Sequence, residues 1–134
     1  MEYRTGRHVV FAMHVHLVFV TKWRRGALDA DAHARLRPIF DKVASDFGAV
    51  LRECDGETDH VHLLLDYPPT AQLSKLVNSL KGVGSRLLLR DRPDIRRQYA
   101  RKGLWSPSYF AASCGGAPLA MIRDYVRNQQ TPTA

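Results

Sequence analysis

Two isolated cysteines in 134 residues, Cys54 and Cys114, give this chain no disulfide framework. With no CxxC pair or finger spacing, a structural zinc site is not suggested, and a reduced, cytoplasmic setting is expected. No apolar run approaches the roughly 20 residues of a membrane-spanning helix. The N-terminus lacks a signal-peptide pattern, so no membrane partner is expected. Acidic residues are scarce, 13 against 20 Lys and Arg, which leaves a net charge of +7. That excess favours a polyanionic partner, most commonly nucleic acid, although a solvated basic surface carries the same charge. Nothing repeats and no low-complexity linker divides the chain, so residues 1–134 read as a single domain with a real core. Hydrophobic content of 45% and charged content of 25% are those of an ordinary globular protein.

Within that frame, residues 8–21 alternate as one long strand. Val9, Phe11, Met13, Val15, Leu17 and Phe19 line one face, and His8, His14, His16, Val18 and Val20 line the other. Lys22-Trp23-Arg24-Arg25-Gly26 follows as a basic, aromatic-bearing loop, suited to phosphate contact and base stacking. A solvated turn with Trp23 tucked into the surface fits nearly as well. Asp29 and Asp31 are candidate N-caps of a helix running to about Phe47, with Gly48 as its stop and Pro38 expected to kink or delay it. Ala49–Asp55 reads as a short strand, with Asp55-Gly56 as the turn after it.

Asp59-His60-Val61-His62-Leu63-Leu64-Leu65 is the next strand, and it closes at Tyr67-Pro68-Pro69. From Thr70, an N-cap candidate, apolar residues recur at helical spacing up to about Arg90, weakened by Gly82 and Gly84. A basic connector over 90–97 has room for one short helix. Trp105–Ser113 reads as a strand, with Pro107 implying an edge or a bulge. Cys114-Gly115-Gly116 is a turn, and Ala117 to about Gln130 is a last helix with Pro118 near its first turn.

The order βαββαβ plus a terminal helix is the α+β, ferredoxin-like split βαβ pattern, with an antiparallel sheet, both helices on one face and the other face open. The first and third strands are then central neighbours. Val61, Leu63 and Leu65 turn to the helices, and His14, His16, His60 and His62 share the open face.

That face has chemistry to offer. His60 and His62 are same-side neighbours whose Cα atoms lie roughly 6.5 to 7 Å apart, so both imidazoles can lean onto one metal ion. On the last helix Leu119, Ile122 and Val126 make the core stripe. Tyr125 and Gln129, one turn apart, lie together on its flank. Tyr125 can reach an ion held by the histidines, and Gln129 can bring it a carbonyl oxygen. Such a site suits a divalent Lewis acid working on a phosphate oxygen, with Mn2+ as plausible as Mg2+ because imidazoles take part. Attack by a tyrosine would leave a phosphotyrosine ester.

These residues carry a resemblance. His60-Val61-His62 is a His-hydrophobic-His (HUH) motif. Leu104 to Phe110 (LWSPSYF), Cys114 to Pro118 (CGGAP), and Tyr125 followed by Gln129 complete the set. The chain resembles the small single-domain HUH tyrosine transposases of bacterial and archaeal insertion sequences, over nearly all its length. The resemblance implies a metal-dependent nickase and strand transferase acting on hairpins in single-stranded DNA, with a Mg2+ or Mn2+ cofactor. It makes His60, His62 and Gln129 the metal ligands and Tyr125 the residue linked to the 5′ phosphate. It also implies a homodimer, often with the tyrosine helix of one copy serving the other.

Against this background His14 and His16 read as structural, mid-strand with no acidic neighbour. Lys22, Trp23, Arg24, Arg25, Lys81 and Arg86 are the candidate DNA contacts. A domesticated relative that nicks repeated hairpins without moving an element would have the same residues. A non-catalytic nucleic-acid-binding module would want aromatics, not histidines, on the open face.

Overall fold

Alternation along one strand decides the layout. The computed structural model describes residues 3–6, 10–11, 13–99, 103–113 and 119–129. The run expected as one strand over 8–21 is divided. Arg4–Thr5 (β1) pairs antiparallel with Val10–Phe11 (β2), where Arg4 lies 5.2 Å over the Phe11 ring. The main strand is β3 (His14–Val20). His8, the Cys114–Gly116 turn, Pro118 and Gln130 fall outside the described residues.

The central sheet contains β3, β4 (Val50–Glu57), β5 (His60–Asp66) and β6 (Phe110–Ser113), in the order β4-β5-β3-β6 with every pair antiparallel. This is the expected ferredoxin-like order, with β3 and β5 central. Val15, Leu17 and Phe19 of β3 and Val61, Leu63 and Leu65 of β5 turn to one side. There they are buried under α1 (Ala30–Asp46) and α2 (Leu73–Asp91). On the other side Val18 and Val20 are equally buried, because α4 (Leu119–Arg127) lays Val126, Ile122 and Tyr125 across them and Phe110. Among the described residues no helix is long and apolar enough to cross a membrane.

Local chemistry explains where the elements depart from expectation. Asp29 caps α1 by accepting from the Ala32 N–H at 2.8 Å. The helix then runs unbroken through Pro38. Pro38 removes the donor for the Ala34 carbonyl, but both residues are exposed and water can take that bond. α2 starts at Leu73 rather than at Thr70, because the turn at Pro68 continues through an Ala71 N–H bond to the Pro68 carbonyl. Arg92 closes α2, and α3 (Pro93–Tyr99) is the short helix of the basic connector, burying Ile95 and Tyr99. The last strand is shorter than expected. Trp105 makes only an isolated bridge to Thr21, and Pro107, lacking an N–H, separates it from β6.

Asp55-Gly56 is not the turn. β4 continues to Glu57, and Thr58-Asp59 connects it to His60. Gly56 is needed for a different reason. At φ +156°, a Cβ there would lie 2.2 Å from the His60 carbonyl oxygen, so only glycine lets the backbone reach the histidine strand this closely.

Candidate active site

Strand register sets out the open face in rows. Asp55, His62, Val18 and Phe110 are cross-strand partners from one edge of the sheet to the other, and Glu57, His60 and Val20 form the next row. Paired residues point to the same side, so each histidine has a carboxylate beside it on β4. His60 Nδ1 lies 2.9 Å from Asp59 Oδ1, and His62 Nδ1 lies 3.2 Å from Asp55 Oδ1. Both imidazoles are 13% exposed. The donor atoms of Glu57, Asp59 and His60 lie within 4.8 Å of one another, and so do those of Glu53, Asp55 and His62. This set of imidazoles and oxygens matches what a divalent ion takes. With each carboxylate accepting from an Nδ1–H, the Nε2 lone pairs become the ligating atoms.

His16 belongs to this group. Its ring meets that of His62 edge to edge, with centroids 5.1 Å apart and its Nδ1 2.9 Å from His62 Nε2. Contrary to the expectation from the sequence, His14 has an acidic neighbour. Asp66, its register partner on β5, bonds to His14 Nδ1 and to Arg52. The acid comes from the neighbouring strand, which local sequence does not show.

The tyrosine end is built separately. Tyr125 Oη lies 2.8 Å from Ser108 Oγ, and the ring packs on Phe110 at 5.6 Å. Gln129 Oε1 accepts from Ser106 Oγ at 3.1 Å and from Ser108 Oγ at 3.2 Å. Its Nε2 donates to the Tyr125 carbonyl at 3.3 Å. Burial pushes the Tyr125 hydroxyl above its ordinary range, and the Ser108 bond draws it partly back.

The two clusters occupy opposite flanks of α4. On the histidine side, Ile122, Arg123, Val126 and Arg127 of the helix enclose a cavity of about 290 Å3 with Arg24, Glu57, Asp59 and His60. Tyr125 stands over Phe110, which is two strand spacings, roughly 10 Å, from His62. The structure thus places His60, His62, Tyr125 and Gln129 on one face, but joins the tyrosine and the amide to serines rather than to the histidines.

The basic loop is a turn over Lys22–Arg24 in which Trp23 and Arg24 adopt left-handed φ of 60° and 54°. This turns Arg24 into the cavity, where its Nε donates to Asp59 at 3.3 Å and its Nη1 to the Arg127 carbonyl at 3.3 Å. Trp23 packs against the core with Arg25 stacked 4.8 Å over its ring and Lys22 at 5.7 Å. Arg86 is exposed on α2, whereas Lys81 turns inward. Sequence reasoning missed Asp55, Asp59, His16 and the two serines. The β4–β5 register would have found Asp55, once the turn was placed after Glu57.

Residues 9–129 match the family described as IS200-like transposases. The ISDra2 transposase TnpA of Deinococcus radiodurans is 28% identical over 129 residues, covering 96% of this chain and 92% of that protein. The transposase of insertion sequence element IS200 from Salmonella typhimurium is 29% identical over 114 residues, covering 85% and 74%. A crystal structure of a Deinococcus radiodurans R1 protein described as a transposase superposes with a TM-score of 0.88 at 29% identity, over 96% of this chain and 99% of that one. A REP-associated tyrosine transposase bound to a REP hairpin shares the fold at a TM-score of 0.56 and 15% identity, over 92% of this chain and 67% of that one.

Proposed function

Because this chain belongs to the family of IS200-like transposases, we propose that it binds hairpins in single-stranded DNA at element ends and cuts and rejoins the strand through Tyr125. One observation carries this reading. α4 crosses the histidine-bearing face of the sheet and holds a hydrogen-bonded tyrosine hydroxyl at the edge of that face.

The reaction exchanges one ester for another. Tyr125 Oη bonds to phosphorus, the bond to the 3′ oxygen breaks, and the 5′ phosphate stays on the tyrosine while the 3′ oxygen takes a proton. Because the new ester keeps the energy of the old, a free 3′ hydroxyl can reverse or redirect the step. Burial raises the Tyr125 hydroxyl further above its already high ordinary pKa, so it is protonated at neutral pH; its proton passes through water to the leaving 3′ oxygen as the ester exchanges, while the bond to Ser108 Oγ orients the hydroxyl. His60 and His62 would hold Mg2+ or Mn2+, oriented by Asp59 and Asp55, and Gln129 would add an amide oxygen. A bound ion supplies Lewis-acid polarisation of the scissile phosphate. Arg24, Arg123 and Arg127 around the cavity, with Lys22, Trp23 and Arg25 beside it and Arg86 on α2, suit the backbone and bases of the DNA.

This reading includes a homodimer. The tyrosine and histidine clusters lie on opposite flanks of α4, and an exchange of tyrosine helices between two copies would bring them together.

The test is incubation with single-stranded DNA carrying the element's hairpin, in Mg2+ or Mn2+. A covalent protein–DNA adduct is expected, absent with Tyr125→Phe and with EDTA. Mixing Tyr125→Phe with His60→Ala is expected to restore it if the helices exchange. An adduct that survives Tyr125→Phe moves the nucleophile elsewhere, and one indifferent to EDTA removes the metal.

A further inference from the structure

Lys81 lies on α2, the covered side of the sheet, yet its ammonium passes the sheet edge. Nζ donates to the carbonyls of three successive residues, Ser106 at 2.8 Å, Pro107 at 3.3 Å and Ser108 at 3.2 Å. An ammonium has three N–H donors, and these contacts use them all. The group also sits 6.0 Å from the Phe19 and Tyr109 ring centroids, and burial lowers its pKa. The loop replies through Trp105, whose Nε1 donates to the Lys81 carbonyl at 3.1 Å.

What this bond set holds is specific. Before the loop, the Ser106 N–H bonds to the Val20 carbonyl at 2.7 Å, and after it the strand ladder resumes where Phe110 pairs with Val18. Between those points Pro107 has no N–H to give. The Lys81 ammonium supplies the donors to the carbonyls in between. The same stretch carries the two hydroxyls that engage the tyrosine helix, Ser106 to Gln129 and Ser108 to both Gln129 and Tyr125.

The order of protons follows from these contacts. Ser108 has one hydroxyl proton and gives it to Gln129 Oε1, so the 2.8 Å contact with Tyr125 has the phenol donating to Ser108 Oγ. A shift of the loop therefore displaces the atom to which the tyrosine hydroxyl is hydrogen-bonded.

We infer that Lys81 is a positioning residue for Tyr125: by tying down the Ser106–Ser108 carbonyls it fixes the serine hydroxyls that orient the tyrosine hydroxyl and the Gln129 amide. This rests on the reading of Tyr125 as nucleophile, and it replaces DNA contact as the role of Lys81. A misplacement of about 1 Å in a reacting group costs on the order of 100-fold in rate, which sets the scale expected.

Lys81→Met, Lys81→Arg, Ser108→Ala and the Lys81→Met/Ser108→Ala double variant are compared for single-turnover adduct formation and for hairpin affinity across a salt series. Lys81→Met is expected to slow adduct formation roughly 10- to 100-fold at unchanged affinity and salt slope. The double variant is expected to be no slower than the slower single one, because both changes act through one contact. Lys81→Arg should also be slow, since a planar guanidinium cannot address three successive carbonyls, and it keeps the test open if the methionine variant does not fold. A phosphate-contacting lysine would behave oppositely, with arginine tolerated and methionine weakening binding and lowering the salt slope by about one. That result, or an undiminished rate in both variants, overturns the inference. A wild-type protein that forms no adduct would remove the nucleophile reading instead. In that event Lys81 is still decided by the 13Cζ resonance of Tyr125, assigned with Tyr125→Phe, which must shift in Lys81→Arg.

Discussion

His16 and His62 meet edge to edge, with their planes within 17° and Nδ1 of one 2.9 Å from Nε2 of the other. That contact needs a single proton. With Asp55 accepting from His62 Nδ1–H, the proton comes from His16, which burial, and then His62, hold below its ordinary pKa and so neutral. His16 thus fixes the tautomer of His62 and holds its ring in place, and the lone pair it occupies is the one a metal would use.

The two histidines of β3 should therefore respond differently. His16→Ala removes the N–H that competes with a metal for the His62 Nε2 lone pair, so the divalent-metal concentration needed for half-maximal adduct formation is expected to fall, with little change in stability. His14→Ala instead strips one partner from the buried Asp66 carboxylate and leaves it to Arg52. The expected loss is about 1–3 kcal/mol of stability with the rate per folded molecule kept. Urea unfolding and single-turnover assays across metal concentrations on both variants separate the outcomes, and a stability loss confined to His16→Ala would contradict the assignment.

A second expectation concerns acid. Arg92 grips Asp29 through two bonds of 2.8 and 2.9 Å and also reaches Asp31 and Asp94 at 2.8 Å, joining the start of α1 to α3. The Arg92 bonds, followed by the Ala32 N–H, hold the Asp29 carboxyl well below the usual carboxylate range, and Arg92 brings Asp94 down to about 2. A carboxylate with a lowered folded pKa stabilises fully above its unfolded value, near 3.9, and loses that contribution as pH falls towards the folded one. Arg92→Leu should thus lower the urea midpoint at pH 7, and its difference from wild type should shrink below about pH 4. Asp29→Ala loses the cap as well, a loss of roughly 0.5–2 kcal/mol at pH 7. A gap between Arg92→Leu and wild type that widened in acid would contradict this account.

The order of elements and the two faces of the sheet were legible because alternation in β3 and β5 and helical spacing in α1 and α2 are local signals. Long-range relationships were less so. Asp55-Gly56 has the composition of a turn, but Gly56 answers to the His60 carbonyl, which only strand pairing brings close. His14 and His16 look alike in sequence, and register alone gives one to Asp66 and the other to His62. That Tyr125 and Gln129 share one flank of α4 was legible from helix spacing. Ser106, Ser108 and the inward turn of Lys81 were not, since nothing near them in sequence says that α2 and α4 meet around this loop.

Gly82 and Gly84 raise the same problem in a form that gives opposite signs. Both sit inside α2, where sequence alone assigns each the same helix-weakening effect. Gly82 is exposed, and a Cβ there meets nothing within 4 Å, so Gly82→Ala should stabilise by roughly 0.5–1 kcal/mol through helix propensity alone. At Gly84 a Cβ would stand 2.8 Å from Phe40 Cε1 and 3.5 Å from Leu36 Cδ2 of α1. Phe40 cannot easily yield, being fully buried with Phe19 6.1 Å away on one side and Trp105 6.4 Å away on another. Overpacking of this kind costs about 1–3 kcal/mol, more than the propensity gain, so Gly84→Ala should destabilise. Urea midpoints for the two variants, measured under one set of conditions, should lie on opposite sides of wild type. Two midpoints both above wild type would mean that propensity, not the α1–α2 contact, governs glycine at this crossing.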